Sequence, residues 1–108
     1  MSSRAHNQAQ WYPAERGSPR QATVAAGVDF VAEETREGWQ LSFWNEHEGK
    51  MEVVRDFPSF GELRDHVDLH APDYARFNRQ ARARAGRAVN PDELVVDPIE
   101  ELKRRLTA

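Results

Sequence analysis

The sequence predicts a single α+β domain, built as a three-stranded antiparallel β-meander with two to three helices packed on one face. Apolar and polar residues alternate along three runs, residues 23–33, 39–44 and 50–57. A period of two is typical of strands with one buried face. From Ser59 onward the apolar residues recur at helical spacing, which predicts a helix that covers the sheet.

The chain of 108 residues has the length of one domain. Residues 1–22 are polar and contain Pro13, Gly17 and Pro19, which interrupt regular structure. We therefore expect a flexible N-terminal arm over residues 1–22 and a single α+β domain over residues 23–108.

Short turns connect the three predicted strands. Residues 35–38 form a turn between the first two strands, and residues 45–49 form a hairpin loop in which Gly49 supplies a positive φ. Three consecutive strands joined in this way form an antiparallel meander, and its apolar face has to be covered by the segment that follows.

Capping residues and prolines set the expected helix boundaries. Ser59 is a good N-cap residue, and Glu62 completes a capping box. Pro72 ends this first helix near residue 71, because the residue before a proline disfavours the helical conformation. A second helix is expected over residues 72–85, and a third begins at Asp97, an N-cap residue that is followed by proline.

The predicted strands and first helix direct large apolar residues to a common core. The expected core residues are Phe30, Leu41, Phe43, Met51, Val53, Phe57, Phe60, Leu63 and Val67. Trp44 and Val54 are expected on the opposite, outer face of the sheet, where exposed apolar residues would also suit a homodimer.

Composition excludes several classes of function. The chain contains no cysteine, which excludes a disulfide framework, a thiolate zinc site and a cysteine nucleophile. No G-x-S-x-G or P-loop pattern occurs, so we expect a protein that is not an enzyme and has no cofactor. No apolar run reaches the length of a membrane span, so the expected location is cytoplasmic rather than in a membrane.

Two features of the composition indicate a bacterial source or a phage or plasmid of a bacterium. Arginine outnumbers lysine 13 to 2, and Ile99 is the only isoleucine. This bias is typical of GC-rich coding sequences. It concerns the origin of the protein and not its function.

The net charge of −3 hides a segregated charge pattern. Residues 23–57 contain eight acidic and three basic residues, whereas residues 76–87 contain five arginines and no acid. An acidic body therefore carries one concentrated basic segment, and each of the two surfaces suggests a different partner.

The leading hypothesis is a small interaction or regulatory protein that binds another protein. Aromatic side chains dominate the energy of many interfaces, and an acidic surface favours a basic partner. The candidate partner-binding residues are Trp11, Tyr12, Trp44, Glu46, Glu48 and Glu52. For Trp11 and Tyr12 the alternative is that they cover an edge of the protein's own core.

The alternative hypothesis is a nucleic-acid-binding protein that uses the basic segment as a helix. Arginine guanidinium groups suit phosphate oxygens, and arginine-rich helices enter nucleic-acid grooves. The candidate nucleic-acid-binding residues are Arg76, Arg79, Arg82, Arg84 and Arg87. In the opposing interpretation the protein's own acidic residues neutralise this segment.

A third and weaker hypothesis concerns His66 and His70, which lie four residues apart on the predicted first helix. This spacing places both rings on one face, where Glu62 and Asp73 could join them as metal ligands. Histidines at the border of an apolar stripe also pack as half-buried residues at a sheet edge. We assign no metal site on this pattern alone.

Overall fold

Five antiparallel strands lie side by side in the order in which they occur in the chain. The computed structural model describes residues 9–85 and 98–107, except the side chains of residues 84, 85 and 98. The strands are β1 (Tyr12–Pro13), β2 (Arg20–Ala25), β3 (Val28–Thr35), β4 (Gly38–Asn45) and β5 (Lys50–Phe57). The α+β class is confirmed, but the sheet has five strands where the sequence predicted three.

Residues 23–33, predicted as one strand, belong to two strands that form a tight hairpin. The chain reverses at Ala26 and Gly27, whose φ angles are 52° and 78°. Two consecutive residues with positive φ are typical of the two-residue turn that matches the twist of the flanking strands. Because apolar residues continue to alternate through this turn, the period of two does not reveal the reversal. The prediction of a single strand is wrong.

The described part of the predicted N-terminal arm is bonded to the rest of the domain. Tyr12 in β1 is paired with Ala22 in β2, so both lie in the sheet. Further upstream, the backbone amide of Ala9 donates a hydrogen bond of 2.9 Å to Oδ1 of Asp68. Residues 1–8 lie outside the described residues.

One long helix, α1 (Phe60–Ala85), covers the inner face of the sheet. The amide of Glu62 donates to Oγ of Ser59 at 3.2 Å, and the Ser59 hydroxyl lies 3.3 Å from the Glu62 carboxylate. These bonds satisfy an otherwise unpaired donor of the first helical turn, so the predicted cap is confirmed.

α1 continues through Pro72, where the sequence predicted a break between two helices. A proline inside a helix removes one hydrogen bond and crowds the preceding turn, at a cost of about 3 kcal/mol. The apolar stripe is nevertheless in phase on both sides of Pro72, because Val67, Ala71 and Tyr74 follow at helical spacing and are all buried. Burial of this continuous stripe outweighs the cost of the exposed proline. The predicted helix end at residue 71 is wrong.

A second helix, α2 (Pro98–Thr107), packs against α1. Leu102 and Leu106 are buried in the core, and Ile99 is partly buried beside them. The described residues therefore contain two helices, because the first two predicted helices are one. Asp97, the predicted N-cap of the last helix, lies outside the described residues.

A β-bulge in β5 reverses the expected orientation of two core residues. Leu41 is paired with Arg55, but the residue after Leu41 is paired with Val53, so Val54 is an additional residue. Met51 and Val53 consequently lie on the outer face and are 39% and 50% exposed. Their assignment to the core is wrong. The outer position expected for Val54 is also wrong, because this residue is partly buried against the core.

The other expected core residues lie on the inner side of the sheet or on α1. Phe60 is partly buried against the core. The remaining six are buried, namely Phe30, Leu41, Phe43, Phe57, Leu63 and Val67.

The bulge can be tested by comparing the effects on stability of alanine substitutions at two residues of the expected core, one buried and one exposed. Phe43 is fully buried, and its ring centroid lies 4.8 Å from Tyr74 and 5.7 Å from Phe77. Phe43→Ala should lower the free energy of unfolding by about 3–5 kcal/mol, because it leaves a cavity. Val53→Ala should change that free energy by less than about 1 kcal/mol. Chemical denaturation measures both, and a loss at Val53 as large as that at Phe43 would contradict the bulge.

Gly38 begins β4 where a side chain would have no room. Its φ is 143°, and a Cβ atom built there would overlap the carbonyl oxygen of Phe57. Gly38→Ala should therefore destabilise the protein by at least about 2 kcal/mol, because the paired strands have to separate. Gly61→Ala in the first turn of α1 is the matched control, since its Cβ would lie 3.8 Å from the nearest atom, Oγ of Ser59.

The control should raise the free energy of unfolding by about 0.5–1 kcal/mol, since alanine favours the helix more than glycine does. The midpoints of thermal or chemical unfolding measure both changes. Equal effects of the two substitutions would show that Gly38 is not in close contact with β5.

Candidate functional site

The outer face of the sheet carries most of the large apolar side chains that the described residues expose. Six such residues are exposed, and five of them lie on this face. They are Tyr12, Val24, Trp44, Met51 and Val53, with exposed fractions between 38% and 63%. The sixth, Leu69, lies on α1. We call these five residues, together with Ala22 and Val31 between them, the outer apolar face.

The strand register arranges these residues in two adjacent rows across the sheet. The first row crosses all five strands and consists of Tyr12, Ala22, Val31, Ser42 and Val53. In the second row Val24 is paired with Asp29, and Trp44 is paired with Met51. Continuation of the β3–β4 register places Asp29 opposite Trp44, so this row also runs from β2 to β5. Side chains of directly opposed residues in a sheet are close enough to contact each other.

A polar row borders the outer apolar face on one side. It consists of Arg20, Glu33, Gln40 and Asp56, which follow one another across β2 to β5. Arg20 is already ion-paired with Glu15 in the loop that precedes β2. The outer side of the sheet is therefore divided into an apolar part and a charged part, as in many interfaces with an apolar centre and a polar rim.

A shallow groove of about 860 Å³ lies on the outer apolar face. Its walls include the side chains of Tyr12, Val24, Val31, Trp44 and Met51. Asp29 is the only Asp, Glu, Lys or Arg among the described residues that line it. Its carboxylate is exposed and forms no ion pair within the described part of the chain. Gln10 and Thr23 add polar groups to the lining, so the groove is mostly apolar and carries one negative charge.

The structure separates the residues predicted to bind a partner. Tyr12 and Trp44 lie on the outer apolar face. Trp11 instead packs on α1, with its ring centroid 5.5 Å from that of Phe60. This packing agrees with the alternative interpretation of Trp11, in which its ring covers an edge of the protein's own core.

The three predicted glutamates lie away from the outer apolar face. Glu46 and Glu48 belong to the turn between β4 and β5. Glu52 is paired across the sheet with the inward-facing Phe43, and its Oε1 accepts a bond of 2.8 Å from Nδ2 of Asn45. The acidic and aromatic candidates therefore do not form one surface.

Two buried amides that the sequence did not indicate order the turn between β4 and β5, and one of them, Asn78, ties the turn to α1. Oδ1 of Asn78 accepts from the amide of Glu46 at 3.0 Å, and its Nδ2 donates to the carbonyl of Trp44 at 2.9 Å. Oδ1 of Asn45 accepts from the amide of His47 at 2.8 Å. Because these bonds satisfy buried polar groups, they fix the end of β4 that carries Trp44.

The predicted nucleic-acid-binding arginines are only partly described. Arg76 and Arg79 are exposed on α1. Nε of Arg82 lies 3.3 Å from Oε2 of Glu46, so one arginine of the basic segment is paired with the acidic turn. The side chain of Arg84 and the whole of Arg87 lie outside the described residues.

His66 and His70 lie side by side on α1, with ring centroids 4.8 Å apart. His66 is buried, and its Nε2 lies 2.8 Å from the hydroxyl of Tyr74. Nδ1 of His70 lies 3.0 Å from Oδ2 of Asp73. Within residues 9–85 and 98–107, no group of three or more His, Asp or Glu side chains is placed to hold a metal ion.

Burial shifts the pKa values of His66 and Tyr74. It lowers the pKa of His66 from 6.5 to about 4, with smaller contributions in the same direction from His70 and Arg55, while Asp73 opposes them. Burial also raises the pKa of Tyr74, so the hydroxyl keeps its proton. A neutral imidazole that is hydrogen-bonded to a neutral phenol is the arrangement that a buried site favours.

No protein-family model, curated protein or solved structure matches the chain. Within the described residues, no helix is long and apolar enough to cross a membrane.

The buried imidazole of His66 predicts a pH dependence of stability. Its pKa in the folded protein is about 4, below the value of 6.5 outside the fold, so protonation favours the unfolded chain. The stability that the neutral imidazole contributes is fully present above pH 6.5. It is lost as the pH falls toward 4, which lowers the free energy of unfolding by up to about 3 kcal/mol. Urea denaturation at several pH values measures this loss.

His66→Gln is the matched control, because glutamine offers Tyr74 a polar partner but does not titrate. The difference in unfolding free energy between the natural protein and this variant should fall as the pH is lowered. A difference that is constant from pH 7 to pH 4 would contradict a buried neutral imidazole.

Proposed function

We propose that this protein is a small non-enzymatic interaction protein that binds another protein through its outer apolar face. The single observation that carries the proposal is the concentration, on one side of the sheet, of five of the six large apolar residues exposed among residues 9–85 and 98–107. Large contiguous apolar patches on soluble proteins commonly mark interaction sites. Isolated exposed apolar residues would need no such explanation.

The asymmetry of the sheet supports this proposal. α1 covers the inner face, whereas no described element covers the outer face. Covering apolar surface contributes roughly 25 cal/mol per Å². Trp, Tyr and Met are also the residue types that interfaces prefer at their centres, and the outer apolar face contains Trp44, Tyr12 and Met51.

A cytoplasmic location and an origin in a bacterium, phage or plasmid remain part of the proposal. They rest on composition, and the fold adds nothing to them. Regulation of a partner by occupying its surface is the simplest role for a protein of this kind.

Nucleic-acid binding through α1 is the second candidate. The observation that favours it is the exposure of Arg76 and Arg79 on one helix. The ion pair between Arg82 and Glu46 weighs against it, because it removes one cation from the basic segment. The protein-binding proposal therefore has the stronger support.

The proposal predicts that binding depends on the outer apolar face. The double variant Val24→Lys/Val53→Lys places charges in both rows, at residues that are 63% and 50% exposed. Leu69→Lys is the matched control, since Leu69 is 72% exposed on α1. Each immobilised protein is used to capture partners from a lysate of its host cell, after denaturation confirms that it is folded.

The double variant should lose at least about tenfold in affinity for a partner that the natural protein and Leu69→Lys both retain. Equal capture by all three proteins would contradict the proposal. A gel shift with DNA or RNA at low salt that Arg76→Ala/Arg79→Ala abolishes would favour the second candidate instead.

A further inference from the structure

We infer that the partner inserts a lysine or arginine side chain, flanked by apolar residues, into the groove of the outer apolar face, where Asp29 pairs with it. This inference rests on the proposed function and specifies the chemistry of the partner. It commits to one occupant, a segment of another protein that is both apolar and basic.

The position of Asp29 within the groove supports this inference. Asp29 is paired with Val24 on β2, and extension of the β3–β4 register places Trp44 on its other side. Tyr12 and Trp44 line the same groove. A carboxylate in a groove that also contains aromatic rings suits a cation, which gains a charge-assisted hydrogen bond and favourable contacts with a ring face.

The energetic cost of covering Asp29 disfavours purely apolar and acidic partners. A purely apolar partner would bury a carboxylate without a counter-charge, which costs several kcal/mol. An acidic partner would add repulsion to this cost. The single charge in the mostly apolar groove therefore favours an apolar partner that also carries a basic side chain.

The same charge disfavours a homodimer formed by two outer apolar faces. A two-fold interface uses the same surface on both copies, so each copy would bring an Asp29 into the shared interface. The cation that the described strands place on the outer side, Arg20, lies in the polar row and is paired with Glu15. The net charge of −3 on each chain adds to the repulsion.

Selection from a phage-displayed library of random dodecapeptides tests the inference with the full-length protein. Peptides selected on the natural protein should contain Lys or Arg beside aromatic or aliphatic residues. Asp29→Lys should weaken the best such peptide at least about tenfold in calorimetric titration, and selection on this variant should enrich Asp and Glu.

Glu33→Lys is the matched control. Glu33 lies on the same strand and the same side of the sheet but in the polar row, and it undergoes the same change of charge. The affinity of the Glu33→Lys variant for the peptide should stay within about twofold of the affinity of the natural protein. Equal losses for Asp29→Lys and Glu33→Lys would overturn a specific pairing at Asp29.

Two further outcomes separate this inference from the proposed function. Neutral peptides that bind the natural protein and Asp29→Lys equally, but not Trp44→Ser, would overturn the cation inference and leave the outer apolar face as a binding surface. A dimer in sedimentation equilibrium that Val24→Lys/Val53→Lys dissociates would overturn the basic partner in favour of a second copy. Failure to select any peptide would overturn the groove as a peptide site, while partner capture still tests the proposed function.

Discussion

The packing of Tyr74 against the inner face of the sheet is the contact on which the rest of the structure depends. Its ring centroid lies 5.0 Å from that of Phe30 and 4.8 Å from that of Phe43, both in edge-to-face arrangements. All three residues are fully buried, and the Tyr74 hydroxyl is paired with His66. This contact joins two neighbouring strands to the middle of α1. Because α1 is committed to the inner face, no described element covers the outer face.

Much of the fold follows from local signals in the sequence. The hairpin of β4 and β5 was predictable from its flanking alternation and from Gly49, whose φ is 67°. Ser59 and Glu62 marked the start of α1 correctly. The missed features have two physical causes, since the turn and the bulge keep the alternation while changing direction or parity, and α1 continues against a local break signal. Ala26 and Gly27 reverse the chain within an unbroken alternation, and tertiary packing carries α1 through a proline that favours a break.

The candidate site was less predictable than the fold. A single additional residue in a strand turns the residues on one side of it to the opposite face of the sheet. Val54 is that residue, and it moves Met51 and Val53 from the expected core to the outer apolar face. The turn at Ala26 and Gly27, which the alternation does not reveal, places Val24 on the outer face. Of the partner-binding residues predicted from sequence, Tyr12 and Trp44 lie on this face. They could be predicted because aromatic side chains are candidates by residue type, whatever their strand register. Asp29 carried no signal that distinguished it from the other acids of the chain.

Hydroxyl-radical oxidation of Met51, followed by mass spectrometry, tests the account most directly. The chain has two methionines, and Met51 is the one in the sheet, where it is 39% exposed. Its side chain should be oxidised readily in the free protein and become protected when a bound partner or selected peptide covers it. Protection of Met51 in the free protein would contradict its outward orientation. Equal oxidation in the free and bound states would show that binding does not use the outer apolar face.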